Sequence, residues 1–598
     1  LSRRDFRAPR TDTERTLAAI WAEVLRLDVG KVGLDDDFFS LGGHSLLATQ
    51  VISRLRSTFQ VELPLRALFE SPTLEALAAR VQSALTLGRT PALPPLLRAS
   101  REAHLPLSFS QQRLWFLDQM EPGSATYNIP AAFRLSGLLD LPALQHAFLS
   151  LSQRHESLRT TFQPGQLGPV QVISTTPSVP MPNVDLQALP ESEREAEVRR
   201  LVLEEAQTPF DLARGPLLRV RLLTLARDEH VLLLTLHHIV ADGWSMGVLI
   251  HELATFYEAF TTGRAPRLPE LPVQYADYAV WQREWLRGEA LEAQLSFWKQ
   301  QLAGAPAALE LPTDKPRPAV QTFEGATHRF QLSRELADAL HALCRREGVT
   351  PFMALLAAFQ VLLSRYSGQD DLCVGSPIAG RRHAELEGLI GFFVNTLVLR
   401  TRLDSALSFR ELLARVREVT LGAYAHQDVP FEKLVEALRP ARAPNRSPLF
   451  QVMFVLQNAP LPALLGPGLT LRPLEVEHRS AKFDLTLSLT ETPDGFAGLL
   501  EYNTDLFEAS TAARMMEHLR TLLEGALARP EQPLGALPLL TEAEHRRLVE
   551  GDAARAIAGD ASLHRLLAAQ ASRTPDTVAL ELEGRSLTWR EAHTRARS

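Results

Sequence analysis

Val231-Leu232-Leu233-Leu234-Thr235-Leu236-His237-His238-Ile239-Val240-Ala241-Asp242-Gly243-Trp244-Ser245 is the stretch whose reading decides the fold. Six residues of strand-like, mostly apolar sequence deliver two adjacent histidines to their end. A short connection with a carboxylate and a glycine follows. The run 231–236 predicts a buried strand, so an imidazole stands at the edge of a sheet where a substrate can reach it. Histidine is the usual proton handler near neutral pH. If strand alternation persists, His237 and His238 point to opposite sides. Upstream, Leu41-Gly42-Gly43-His44-Ser45-Leu46 sets one serine after two glycines and before a helical run. Together the two stretches suggest one residue that carries a cargo and one site that processes it.

The 598 residues are too many for one ordinary domain. Hydrophobic residues make up 45% and charged residues 22%, the composition of a soluble globular protein. A net charge of -7 argues against a nucleic-acid surface, which carries a basic excess. Two cysteines, Cys344 and Cys373, give neither a disulfide framework nor zinc-ligand spacing, so no metal is expected and a reducing cytoplasm is the natural setting. No apolar run approaches the roughly 18 residues of a membrane span, so no membrane is expected. The chain starts without methionine or a signal-like stretch and stops inside an apparently helical segment, as an excised piece of something longer would.

Residues 11–85 read as a small helical bundle, with helices expected over 13–27, 45–59 and 72–85. Pro91, Pro94 and Pro95 mark a linker over 86–104, partly extended. From 105 the pattern is mixed. Helices are expected over 142–153, 333–346, 351–366 and 514–527, and strands over 158–162, 231–236, 371–375 and 483–489. This predicts α+β or α/β layers. After Pro533 the pattern changes again. A helix over 563–571, a strand over 578–581, a turn at Gly584-Arg585 and a helix from about Arg590 form a tail too short to bury its own core.

Ser45 suits a helix N-cap, the bland reading. Its setting reads otherwise. Asp36-Asp37-Phe38-Phe39-Ser40-Leu41 before it and Leu46-Leu47-Ala48 after it resemble the peptidyl carrier domains of nonribosomal peptide synthetases. The resemblance covers 11–85 and implies that Ser45 is esterified with 4′-phosphopantetheine by a separate phosphopantetheinyl transferase. Gly42 and Gly43 let the backbone turn sharply beside the hydroxyl, and a helix N-terminus suits a phosphodiester.

His-His-x-x-x-Asp-Gly resembles the signature of condensation domains. Ser108-Phe109-Ser110-Gln111-Gln112-Arg113-Leu114-Trp115, Arg154-His155-Glu156-Ser157-Leu158-Arg159, Tyr275-Ala276-Asp277-Tyr278 with Trp281, Ile390-Gly391-Phe392-Phe393-Val394-Asn395-Thr396, His426-Gln427-Asp428-Val429-Pro430-Phe431 and Ser447-Pro448-Leu449-Phe450-Gln451 follow the family order. The resemblance spans 105–540. It implies a V of two chloramphenicol-acetyltransferase-like α/β lobes with the histidine loop at their junction, after an all-α carrier.

The implied reaction is attack of an acceptor α-amine on a donor thioester. Such an amine has a pKa of about 7.7–8.0 and is partly neutral already, so no strong base is obligatory. By the resemblance His238 faces the tunnel, where it either takes a proton or holds the amine at attack distance; His237, pointing the other way if strand alternation persists, is structural. Asp242 is expected to fix the loop by pairing with an arginine, with Arg381 the candidate partner by resemblance. Gly243 is expected to turn its N–H toward the developing oxyanion. Trp244 and Ser245 read as packing and turn residues. Arg113, Tyr275, Asp277 and Trp281 read as structural.

Gln111-to-Trp115, Tyr127-Asn128-Ile129-Pro130 and the segment from Ile390 to Leu397 resemble the L-donor type, and Gly-Gly-His-Ser resembles carriers that feed a condensation domain directly. Residues 541–598, with Leu587-Thr588-Trp589-Arg590-Glu591, resemble the start of an adenylation domain. The implied partners are an upstream adenylation domain and downstream adenylation and acceptor carrier domains. The alternatives are an epimerization domain of the same fold and a catalytically silent docking platform. The carrier and the adenylation start argue against the first, and the intact histidine motif against the second.

Overall fold

The structure, a computed structural model, describes residues 6–87, 93–102, 104–166, 168–440, 443–457, 464–466, 468–476, 479–554, 563–582 and 585–597; Ser45 and Leu46 are described by their helix alone. Pro91 and Gly584 lie outside the described residues. The chain divides into two compact units, Leu1–Leu537 and Pro538–Ser598.

The first unit opens with helices α1 (Asp12–Leu25), α2 (Ser45–Phe59), α3 (Arg66–Glu70) and α4 (Leu74–Thr86). Thr11 and Glu14 form a reciprocal capping box that starts α1. Leu17, Trp21, Phe38, Val51, Leu55, Leu77 and Val81 fill the bundle core. The five-residue α3 is too short to show a periodic pattern. Within 93–102 the linker is pinned to the lobes as a strap. Leu96 is buried in an apolar cluster with Tyr275 and Phe393, Ala99 N–H donates to Asp277, and Trp281 Nε1 donates to the Pro94 carbonyl.

Beyond the strap come helices α5 (Phe109–Met120), α6 (Leu141–Arg154), α7 (Glu191–Gln207), α8 (Gly243–Thr262), α9 (Tyr275–Trp285), α10 (Gly288–Gln301), α11 (Arg334–Glu347), α12 (Pro351–Ser367), α13 (Phe409–Ala425), α14 (Phe431–Leu438) and α15 (Ala509–Ala528). Strands β1 (Asn128–Ser136), β4 (Asn183–Asp185), β5 (Leu218–Ala226), β6 (Glu229–His237), β11 (Leu464–Gly466) and β12 (Leu469–Leu474) build one sheet in the order β11-β12-β1-β6-β5-β4. Strands β7 (Gly325–Leu332), β8 (Asp371–Ile378), β9 (Asn395–Arg402), β10 (Val452–Gln457), β13 (Leu485–Thr492) and β14 (Gly495–Asn503) build the other, in the order β7-β14-β13-β10-β8-β9. A small hairpin joins β2 (Thr160–Gln163) to β3 (Val170–Ile173). The expected strand over 158–162 therefore begins late, because Glu156–Arg159 closes as a 3-10 turn.

The apolar run that opened the sequence is central strand β6, paired antiparallel with β1 and β5. Both its faces are covered. Leu232, Leu234 and Leu236 share a core with α6 and α8, while Val231 and Leu233 join Val198, Leu201 and Val202 of α7. A strand sandwiched between helix layers is apolar on both faces, which is why this run does not alternate. Each buried leucine contributes about 2 kcal/mol.

Two late segments cross from the second lobe to the first. Strands β11 and β12 extend the first sheet beside β1. The connection between β8 and β9 also crosses, and its Leu386, Leu389 and Phe393 pack on Tyr275 and Tyr278. These crossings position the site.

The second unit contains α16 (Glu542–Ala554), α17 (Leu563–Arg573), the antiparallel pair β15 (Val578–Leu582) and β16 (Arg585–Thr588), and α18 (Trp589–Arg597).

Candidate active site and carrier end

His237 is buried, and its Nδ1 accepts the Ile239 N–H at 3.1 Å. Phe210 and Tyr127 flank its ring at 6.0 and 6.5 Å. Burial, then the Lys482 ammonium, hold its pKa down to about 3. His238 lies just past β6, half-buried, with its backbone N–H donating to the Tyr127 carbonyl at 2.9 Å. Its ring lies 5.8 Å from that of Phe392. Nδ1 is shielded and has no partner of hydrogen-bond geometry. Burial, then Lys482, push its pKa well below the ordinary value, and the nearby Ala241 backbone opposes this without reversing it. Both imidazoles are therefore neutral near pH 7.

Asp242 is the N-cap of α8 and fully buried. Its Oδ1 accepts the Ser245 N–H at 2.8 Å, and its Oδ2 accepts the Phe393 N–H at 3.0 Å. Arg381 stands 3.3 Å from Oδ1, also buried, and donates to the Ser245 hydroxyl at 3.0 Å and the Leu389 carbonyl at 2.7 Å. Ser245 is the third residue of α8 rather than a turn residue. Its hydroxyl lies 2.7 Å from Asp242 Oδ1 and 2.8 Å from the Gly391 carbonyl, and it accepts the Gly391 N–H at 3.0 Å. One buried cap thus fastens the histidine loop to the crossing segment. Ser157 donates to the Ile390 carbonyl and Tyr275 to the Phe392 carbonyl. At Gly391 an added Cβ would stand 2.0 Å from the Tyr275 ring, so only glycine fits.

Gly243 is the first residue of α8, so its N–H is one the helix leaves without an acceptor. An added Cβ there would meet nothing within 4 Å. The protein's own packing does not demand a glycine at this point; the space above it is open.

At the carrier end, Ser45 is the first helical residue of α2, and His44 is the N-cap, with extended backbone and no side-chain capping bond. Ser45 is thus not the cap, which stands one residue earlier, after the turn through Gly42 at φ 99°. Gly43 lies against Phe38, whose ring atoms would meet a Cβ at 2.3 Å. A cavity of about 280 Å³ opens beside Gly42, Gly43 and His44 and reaches Phe352, Pro377 and Leu456 of the second lobe. His44 Nδ1 is buried there without a partner, and burial lowers its pKa to about 4. An uncapped helix start with an orphaned polar atom beside a cavity fits a covalently attached phosphodiester arm.

The bundle is held on the lobes by charge. Arg54 of α2 meets Glu387 at 3.1 Å, Arg66 of α3 meets Glu418 of α13 at 3.0 Å, and Arg56 donates to the Arg382 carbonyl at 3.2 Å. The Glu387 carbonyl in turn accepts Trp244 Nε1 at 2.9 Å. Residue 387 therefore touches the carrier on one side and the histidine helix on the other. Neither Glu387 nor Lys482 stands in a motif that sequence reasoning singles out. The other residues read as structural are braced: Arg113 meets Glu432 at 3.2 Å, and buried Asp277 holds Arg101 at 2.6 Å. Among the described residues no cluster of three His, Cys, Asp or Glu could hold a metal, and no single helix is long and apolar enough to cross a membrane.

Residues 101–549 match the family model described as condensation domain, and residues 15–81 match the phosphopantetheine attachment site. A linear gramicidin synthase of Brevibacillus parabrevis is 50% identical over 599 residues, covering 100% of this chain. Phosphinothricin tripeptide synthetase PhsB of Streptomyces viridochromogenes is 44% identical and covers 98% of it. The chain spans 8% of the first relative's length and 50% of the second's. Among solved structures, the holo form of a four-domain nonribosomal peptide synthetase bound to AMP and glycine gives a TM-score of 0.70 at 25% identity, covering 83% of this chain and 39% of its own. The X-domain in complex with OxyB from teicoplanin biosynthesis gives 0.68 at 32% identity, covering 76% of this chain and 99% of its own.

Proposed function

The chain belongs to the condensation-domain family, behind a carrier domain of the phosphopantetheine-attachment type, and from that premise we propose that it forms a peptide bond at His238 with a donor carried on its own Ser45. On this reading 11–85 is the carrier, 86–104 its strap, 105–540 the L-donor condensation domain and 541–598 the start of an adenylation domain. A phosphopantetheinyl transferase loads Ser45. An upstream adenylation domain charges the carrier, and a downstream adenylation domain and acceptor carrier supply the amine in the cytoplasm.

The observation that carries the reading is the uncapped start of α2 opening on a cavity shared with the second lobe, in a chain whose histidine loop is fastened by a buried clamp. Ser45 would hold the phosphopantetheine ester, with the free N–H groups of the first turn of α2 facing its phosphate. When bound, that group supplies a thiol that presents an acyl chain as a thioester.

The chain's own residues then do the positioning. An imidazole pushed so far below its usual pKa is a poor store for a proton taken from an ammonium, whose own pKa is near 8. Neutral His238 instead accepts a hydrogen bond from the incoming amine and holds it at attack distance. Asp242 and Arg381 neutralise one another and fix the loop. Gly243 leaves room above an unpaired N–H where negative charge develops. Intact-protein mass spectrometry after incubation with CoA and a broad phosphopantetheinyl transferase tests the carrier half. One adduct, absent in Ser45→Ala, supports it; no adduct on folded protein contradicts it. Transfer to an added aminoacyl thioester tests the catalytic half. Its absence from loaded wild type leaves the docking-platform alternative.

A further inference from the structure

Five of the 63 basic residues are lysines: Lys31, Lys299, Lys315, Lys433 and Lys482. Lys299, Lys315 and Lys433 lie 3.7, 3.8 and 2.7 Å from carboxylates. Lys482 differs. It is half-buried in the approach to β13, and its Nζ stands 4.8 Å over the centre of the Tyr127 ring. Tyr127 gives its carbonyl to the His238 N–H and flanks the His237 ring. Among the described residues no carboxylate lies within ion-pair distance of Lys482; Glu501 of β14 acts on it from farther off. Lys482 is near enough to His237 and His238 to act against the protonation of both.

We propose that Lys482 is a further residue of the reaction: its ammonium, held over Tyr127 beside the two histidines, supplies the positive charge that offsets the negative charge developing on the acyl oxygen as the amide forms. The inference rests on the condensation reading above. No co-reactant is needed. The C–N bond forms, the C–S bond breaks, and the proton lost by the amine ends on the sulfur. A cation locked in an ion pair has its field answered before the reaction begins; one held only by an aromatic face does not. Arginine serves nearly everywhere else in this chain; either cation would supply the charge here, and the two differ in the pH at which the charge is lost.

The groups facing Lys482 are Arg113 from α5, already paired with Glu432, the neutral Tyr127, the two neutral histidines and Glu501. Burial lowers the Lys482 pKa to about 8, Arg113 adds to the lowering, and Glu501 opposes it. The ammonium is therefore charged below about pH 8 and lost above it. The amine nucleophile works the other way, becoming neutral as pH rises. A rate that climbs toward pH 8 and falls beyond it follows.

The test has two arms on the full chain. In the unloaded protein, site-resolved reductive methylation is followed against pH. Lys482 should show its midpoint near pH 8. A midpoint at the value of an ordinary lysine, about 10.4, overturns the proposal. In the loaded protein, single-turnover transfer is measured against pH for wild type, Lys482→Met, Lys482→Arg and His238→Ala. Lys482→Met should be slower at pH 7 by about 10- to 100-fold and lack the alkaline fall. Wild type should approach its rate above pH 9. Lys482→Arg should keep its activity and stay active above pH 8. Because wild type and Lys482→Arg carry the pH comparison, the test stands even if Lys482→Met does not fold. An unchanged rate and profile in Lys482→Met, with His238→Ala inactive, sinks the lysine alone. His238→Ala at the wild-type rate sinks the reading beneath it.

Discussion

Helices α2 and α8 both begin at a glycine-containing turn beside a residue assigned to chemistry, and they are finished in opposite ways. At α8 the cap is a buried carboxylate with every oxygen engaged, tied to Arg381, Ser245 and the crossing segment. At α2 the cap is His44, which makes no capping bond and leaves Nδ1 unpartnered beside a cavity. At one end the loop that carries His238 is fastened. The other is left open, which suits the modification of its first residue that the proposed function calls for. A fastened loop and an accessible helix start need different caps, and this chain contains both.

The contrast breaks most completely at Ser45. Ser45→Ala should abolish loading, read as total loss of the mass adduct, without lowering the melting temperature. Asp242→Ala should do the reverse. It leaves a buried guanidinium without its counter-charge and the Phe393 N–H without its acceptor, so it should destabilise the two lobes by about 3 kcal/mol or more, seen as a lower denaturant midpoint, while Ser45 still loads. If Asp242→Ala left stability unchanged, the clamp would not be the rigid element described. The smallest effect falls between the two ends. Arg54→Glu or Glu387→Arg alone should slow donor transfer several-fold by weakening the docked carrier, and the double reversal should restore most of it. Rates that simply multiply in the double variant would show that the two residues do not act on each other.

The parts legible in the sequence are those that a local pattern encodes. The buried run of β6 and the periodic helices α2 and α11 fall where periodicity puts them. Helix α8 lacks that signature because it is apolar on most faces, as a helix wedged between a sheet and a neighbouring lobe must be. Ser245 reads as a turn residue because its hydroxyl partners lie up to 146 positions away. The strap after α4 reads as a linker because its prolines exclude regular structure, whereas Leu96 and the backbone bonds that pin it are tertiary. Lys482 escapes a pattern search because a single cation next to a strand carries no spacing signal. Its rarity among so many arginines is the one available clue.

The most direct test of the account loads a donor onto Ser45, adds a soluble aminoacyl thioester, and follows a single turnover by intact mass in wild type and His238→Ala. Wild type should release the donor from Ser45 as a dipeptidyl thioester. His238→Ala should load equally and release it about 100-fold more slowly. Equal release from both proteins would contradict the central claim that the fixed, neutral imidazole at the end of β6 positions the attacking amine.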